Sequence, residues 1–115
     1  MNQHSISINR RALNHIKNGS KTVEGRLKKG IFKSNPILIG DIINFINLDQ
    51  VISVIVKAVY EFDNIKYFLE DNPIHNLTPY YYNTDDVLNH YKNFYSLNAL
   101  NKSPFLAIHI KLIEN

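Results

Sequence analysis

"NGSKTVEGRL", residues 18–27, joins a helix stop to an alternating run. Gly19 stands where a helix needs a left-handed residue to end. From Lys21 to Leu27 the period-two pattern predicts a strand, with Val23 and Leu27 on one face and Thr22, Glu24 and Arg26 on the other. Gly25 lies inside that strand, where a glycine costs stability unless another backbone or a ligand comes close. Lys21 therefore falls at a helix-to-strand corner beside a carboxylate and a guanidinium. Such charges form either a solvated strand face or the polar lip of a cleft.

Working outward, "SISI" at 5–8 reads as a short strand, and Asn9 caps a helix to about Asn18 that buries Ala12, Leu13 and Ile16. Downstream, "KKGIFKSNP" is a basic loop, and a Gly-Asp turn leads into a strand at about 42–47. The long β-branched run "VISVIVKAVYEF" is its hairpin partner. Residues 64–71 predict a short helix carrying Ile65, Phe68 and Leu69, and "NPIHNLTPYYYN" reads as an aromatic-rich loop. Thr84 is expected to cap the next helix, with Asp85 and Asp86 in its first turn. Val87, Leu88, Tyr91, Phe94 and Tyr95 then share one side of it. "FLAIHIKLI" closes the chain as a strand alternating Leu106, Ile108, Ile110 and Leu112 against Phe105, Ala107, His109 and Lys111. This order predicts an α+β fold, a small β-barrel of about five or six strands with two or three flanking helices. A Rossmann alternation does not fit it, and the sequence has no glycine-rich phosphate loop.

With 115 residues, 44% of them apolar and 20% charged, the chain is expected to form one domain over 1–115. It has no cysteine, which excludes disulfides, thiolate nucleophiles and Cys-based zinc sites. Its five histidines do not fall at metal-ligand spacing, so neither a metal nor a cofactor is expected. No apolar run reaches signal-peptide or membrane-span length, which predicts a soluble, intracellular (cytoplasmic) protein with no membrane partner. The net charge of +3 leans only mildly toward polyanions.

Gly19, Lys21, Glu24 and Arg26 spell G-x-K-x-x-E-x-R, and in this the chain resembles the ASCH domain family of the PUA-like superfold. The likeness extends in order through "ALNHIKNGSKTVEGRL", "IGDIINF", "HYKNFYS" and "PFLAIHIKLI", most of the chain. The resemblance implies a PUA-like barrel with a cleft at the motif that meets RNA or a nucleotide-like small molecule. It also implies ligand contacts at Gly19, Lys21, Thr22, Glu24 and Arg26, with Tyr95 and Ser96 on the cleft wall.

The residue chemistry leaves several roles open. Lys21 suits an anion as a point charge, or a base or nucleophile if desolvated. Glu24 can orient Lys21 and Arg26, accept from a base edge, or activate water. Arg26 can fork onto Glu24 or a phosphate. Lys21 and Glu24 are thus the catalytic candidates. Arg10, Arg11, Lys17, Lys28, Lys29 and Lys33 are candidate phosphate contacts around the mouth, and Tyr80 to Tyr82 candidate stacking faces. Three functions compete. The first is an RNA- or nucleotide-binding module in RNA metabolism or regulation. The second is a small metal-independent hydrolase, either a ribonuclease or, as the family resemblance implies, an amidohydrolase acting on acetylated cytidine. The third is a structural protein whose cleft a Glu24–Arg26 pair fills. Against the amidohydrolase, the family's lysine matches Lys21 but its threonine position falls on Glu24.

Overall fold

Asn9 begins the first helix: its side chain accepts from Ala12 N, satisfying a donor that the helix itself cannot. In the computed structural model, which describes residues 1–113, this helix (α1) spans Arg10–Lys17 and follows strand β1, Gln3–Ser7. Strand β2, Val23–Leu27, comes next, then a single turn α2, Ile31–Ser34. Strands β3, Ile42–Asn47, and β4, Gln50–Phe62, form the expected hairpin. Helices α3 (Ile65–Asp71), α4 (Ile74–Leu77), α5 (Thr84–Lys92) and α6 (Leu97–Lys102) lead to the closing strand β5, Phe105–Leu112.

The strands make one sheet in the order β1-β3-β4-β5-β2, parallel only between β1 and β3. A register shift between Val56 and Ala58 breaks the β4–β5 ladder, and such a bulge bends and twists a long strand. The sheet curls into a half-barrel of the α+β, PUA-like kind that the sequence predicts. Its two edge strands come near enough for Arg26 Nη2 on β2 to donate to Ser7 O on β1 at 3.4 Å.

Burial explains why β5 sits inside the sheet. Its Leu106, Ile108 and Ile110 join Ile6, Leu13, Ile16, Ile43, Phe45 and Val54 in one core, which includes the buried side of α1. Its Phe105 and Ala107 join Val23, Leu27, Phe68, Leu77, Val87 and Leu100 in a second core beneath α3 to α6. Covering both faces with side chains worth about 1.5–3 kcal/mol each is what holds helices on both sides. The alternation read along this strand is therefore a division between two cores.

Local details depart from expectation. The first strand covers Gln3–Ser7 and not 5–8, although Ile8 N still donates to Ile46 O at 3.0 Å. Asn83 and not Thr84 caps α5, accepting from Asp86 N, so the helix starts one residue early. Both residue types cap well, and nothing in the local sequence ranks them. Because α5 ends at Lys92, Phe94 leaves the helical period and is 64% exposed. Besides the helices expected near α1, α3 and α5 there are three short ones: α2, α4 within the aromatic-rich segment, and α6.

Candidate functional site

Gly19, at φ +84°, ends α1, and the chain turns back on itself. Lys21 N donates to His15 O and Thr22 N to Asn76 O, which fixes the corner against α1 and α4. The Lys21 side chain then runs inward and is 4% exposed. Its Nζ donates to Val23 O at 2.8 Å and to Leu77 O at 2.5 Å, and it meets Glu24 Oε1 at 3.2 Å. An ammonium has three N–H donors, so protein groups occupy all of them.

Glu24 continues the chain of charges. Its Oε2 accepts from Arg26 Nε at 3.0 Å and from Arg26 Nη2 at 2.9 Å, and the Arg26 guanidinium lies 5.4 Å from the Phe32 ring centre. Burial would push the Glu24 carboxyl up, but the charges of Lys21 and Arg26 outweigh it and hold it below the usual carboxylate range. Burial pulls the Lys21 amine down, opposed by Glu24. For Arg26 the downward pull of burial loses to Glu24, and its pKa rises. The result is a charged triad whose members are committed to one another.

The triad does not fill the cleft. A cavity of about 350 Å³ opens beside it, at the seam between the two edge strands. Ser7, Ile8, Asn9 and Ala12 line it from β1 and the start of α1; Lys21, Glu24, Gly25 and Arg26 line it from the motif. The far wall is aromatic: Tyr80, His90, Tyr91, Phe94 and Tyr95, with Thr78 beside them. Arg11 stacks its guanidinium 4.3 Å from the Tyr80 ring centre. Burial, then Tyr81 and Glu24, push the Tyr80 hydroxyl up to about 12, and burial first also pushes Tyr91 well up. His90 Nδ1 lies 3.2 Å from Tyr81 Oη, and burial lowers its pKa, which favours the neutral ring at pH 7. The Thr78 hydroxyl is buried and has no hydrogen-bond partner among the described residues.

The structure thus brings Lys21, Glu24, Arg26 and Tyr95 to one cavity. Gly19 and Thr22 border a second groove of about 320 Å³ with Lys17 and Lys111, and Lys21 lies between the two spaces. Ser96 turns away and caps α6, accepting from Ala99 N at 3.1 Å. Lys28 pairs with Glu61 at 2.6 Å, while Arg10, Lys29 and Lys33 are exposed and line neither space. Sequence reasoning missed Thr78 and His90. His90 carried a signal, since it sits four residues before Phe94 and next to Tyr91. Thr78 carried none, because α4 places it. Among the described residues no three His, Asp or Glu side chains gather as they would around a metal ion.

No protein-family model matches the sequence, and no curated protein does. Solved structures do. The crystal structure of hypothetical protein PH0355 superposes with a TM-score of 0.85 at 29% identity, covering 96% of this chain and 99% of that one. The solution structure of protein PF0455 from Pyrococcus furiosus does so with a TM-score of 0.77 at 26% identity, covering 98% and 99%. An ASCH domain from Lactobacillus crispatus matches with a TM-score of 0.67 at 13% identity, over 96% of this chain and 79% of its own. With its curled five-stranded sheet and flanking helices, the chain has the fold of an ASCH domain.

Proposed function

We propose that residues 1–115 act as a single ASCH-like domain, soluble and intracellular, that binds RNA or a nucleotide-like small molecule in RNA metabolism or regulation. One observation carries this reading: the cavity of about 350 Å³ has a polar strand on one side and an aromatic wall on the other. Pockets of this size take small ligands, and aromatic side chains stack on unpaired bases whatever their identity. Phosphates outside the cavity would meet Arg10 and Arg11, which follow the cavity-lining Asn9 at the start of α1.

The test is titration of a short single-stranded RNA and of nucleoside monophosphates into the wild-type protein and into Tyr80→Ala and Phe94→Ala. Binding weakens with salt, and each variant loses about tenfold or more, the scale of a lost stacking contact. Absence of wild-type binding, or unchanged affinity in both variants, refutes the reading.

A second reading, hydrolysis of RNA or of acetylated cytidine, is favoured by Thr78, which borders the same cavity as Lys21 and Glu24 and carries a buried hydroxyl without a partner among the described residues. It supplies a threonine where the motif itself offers glutamate. Mass spectrometry after incubation with acetylcytidine and with labelled RNA decides it; two unchanged substrates remove it.

A further inference from the structure

The free edge of β2 changes character along its length. Ile110 N donates to Thr22 O and Lys28 N donates to Pro104 O, while Glu24 stands opposite Ile108 and Arg26 opposite Leu106. In an antiparallel ladder, alternate residues turn their amides to the same neighbour. The even-numbered residues of β2 therefore face β5, and Val23, Gly25 and Leu27 present N–H and C=O to the open edge. The carbonyls on either side are taken: Val23 O by Lys21 Nζ at 2.8 Å and Leu27 O by Lys29 N at 2.9 Å.

Gly25 lies between them, buried and bordering the cavity. Among the described residues no hydrogen bond from outside the sheet reaches it. Buried backbone amides are nearly always paired, so an open one beside a cavity points to a ligand. A second observation agrees. Thr78, 2% exposed and with a hydroxyl that has no partner among the described residues, belongs to the same wall. To meet a ligand the hydroxyl has to turn about χ1 toward the cavity, a move that breaks no hydrogen bond. Within the triad Lys21 has used its three donors and each Glu24 oxygen already accepts, so among the described residues the free donors on that side of the cavity belong to Arg26 Nη1.

Resting on the binding reading above, we propose that Gly25 and Thr78 read the ligand: the Gly25 N–H and C=O pair with adjacent acceptor and donor groups on one edge of an uncharged nucleobase-like ring, and the Thr78 hydroxyl adds a third contact. The N–H and C=O of one extended residue point the same way, as they do toward a neighbouring strand, and the unpaired edge of a base offers the complementary pattern. The ring enters neutral and any phosphate stays at the mouth.

The experiment uses the ¹⁵N-labelled chain and the four ribonucleosides, with ribose 5-phosphate as the probe lacking a base. The expected result is a saturable downfield shift of the Gly25 amide proton with at least one nucleoside. Gly30 and Gly40, which border neither space, stay still. Ribose 5-phosphate leaves Gly25 unmoved. The analogue of that nucleoside without its exocyclic group on the paired edge binds about tenfold more weakly, as does the nucleoside to Thr78→Val, while Thr78→Ser recovers most of the affinity. Thr78→Val stays folded, with an unchanged or raised Tm, because its hydroxyl has no partner to lose. Nucleoside binding with an unmoved Gly25 amide, or with no loss from either the analogue or Thr78→Val, overturns this proposal and leaves the binding reading standing. Failure of both nucleosides and single-stranded RNA to move any cavity residue overturns both.

Discussion

Asp41 and Glu24 are the buried carboxylates among the described residues, 3% and 6% exposed, and they are satisfied in different ways. Asp41 accepts from Asn2 N and Leu38 N, each at 3.0 Å, and from His4 Nε2 at 2.8 Å. Those bonds, His4 first, pull it from its ordinary 3.8 down to about 2. It staples the start of β1 to the turn before β3, and its surroundings are closed. Glu24 is held by two cationic side chains, one on each oxygen, with a cavity beside it. Backbone donors fix a carboxylate with little room for rearrangement. Side-chain cations hold it equally well while leaving a wall that a ligand can share.

Breaking the Glu24 side has the largest expected effect. Glu24→Gln leaves Lys21 buried with no opposing charge and should cost about 3–5 kcal/mol in urea unfolding, whereas replacing Lys21 and Glu24 together by Met and Leu should cost much less. Equal losses in the single and double variants would show that the pair is not a unit. Next comes Gly25→Ala. A methyl group there would collide with Tyr91 Oη and lie 2.7 Å from Phe68 Cζ and 3.0 Å from Phe105 Cε1, so a loss of about 1–3 kcal/mol is expected by thermal melt.

Asp41→Asn sharpens the comparison through pH. Its carboxyl is depressed in the folded state, so its contribution is complete above the unfolded value and fades as pH falls. The window runs from about 4 to about 2, and at most about 2 kcal/mol is at stake. The variant should be less stable at pH 7 and show a flatter acid limb in that window. An unchanged acid limb would mean that Asp41 is not the staple described. The smallest effect has the opposite sign: Thr78→Val should stabilise the unliganded protein by about 1 kcal/mol, because a buried hydroxyl without a partner is removed.

Most of the fold was legible because its signals are local. Asn9 and Gly19 bracket α1, period-two alternation marks β2, and Asn64, which accepts from Lys66 N and Tyr67 N, starts α3 where the sequence placed it. The site was legible only as a motif. That Lys21 is sequestered depends on Leu77 O, a carbonyl 56 residues away that no spacing within "NGSKTVEGRL" announces. The basic residues read as a phosphate ring scatter for the same reason: Lys28 finds Glu61 across the sheet, and Lys17 faces the second groove. Phe94 was expected on a buried helix face and instead stands at the cavity, since helix length is set by the Asn93 cap and not by apolar period.

The place of β2 in the sheet also governs when the site can exist. β2 has one ladder neighbour, β5, and β5 begins at Phe105. During synthesis the motif has no strand to pair with until the residues through β5 have followed it. Until then the Lys21–Glu24–Arg26 triad lacks the burial that commits its charges to one another. Contacts this distant in sequence are slow to close, so the cavity wall forms among the last parts of the molecule. Loss of β5, none of whose residues touches the cavity, would erase the site as surely as loss of the motif.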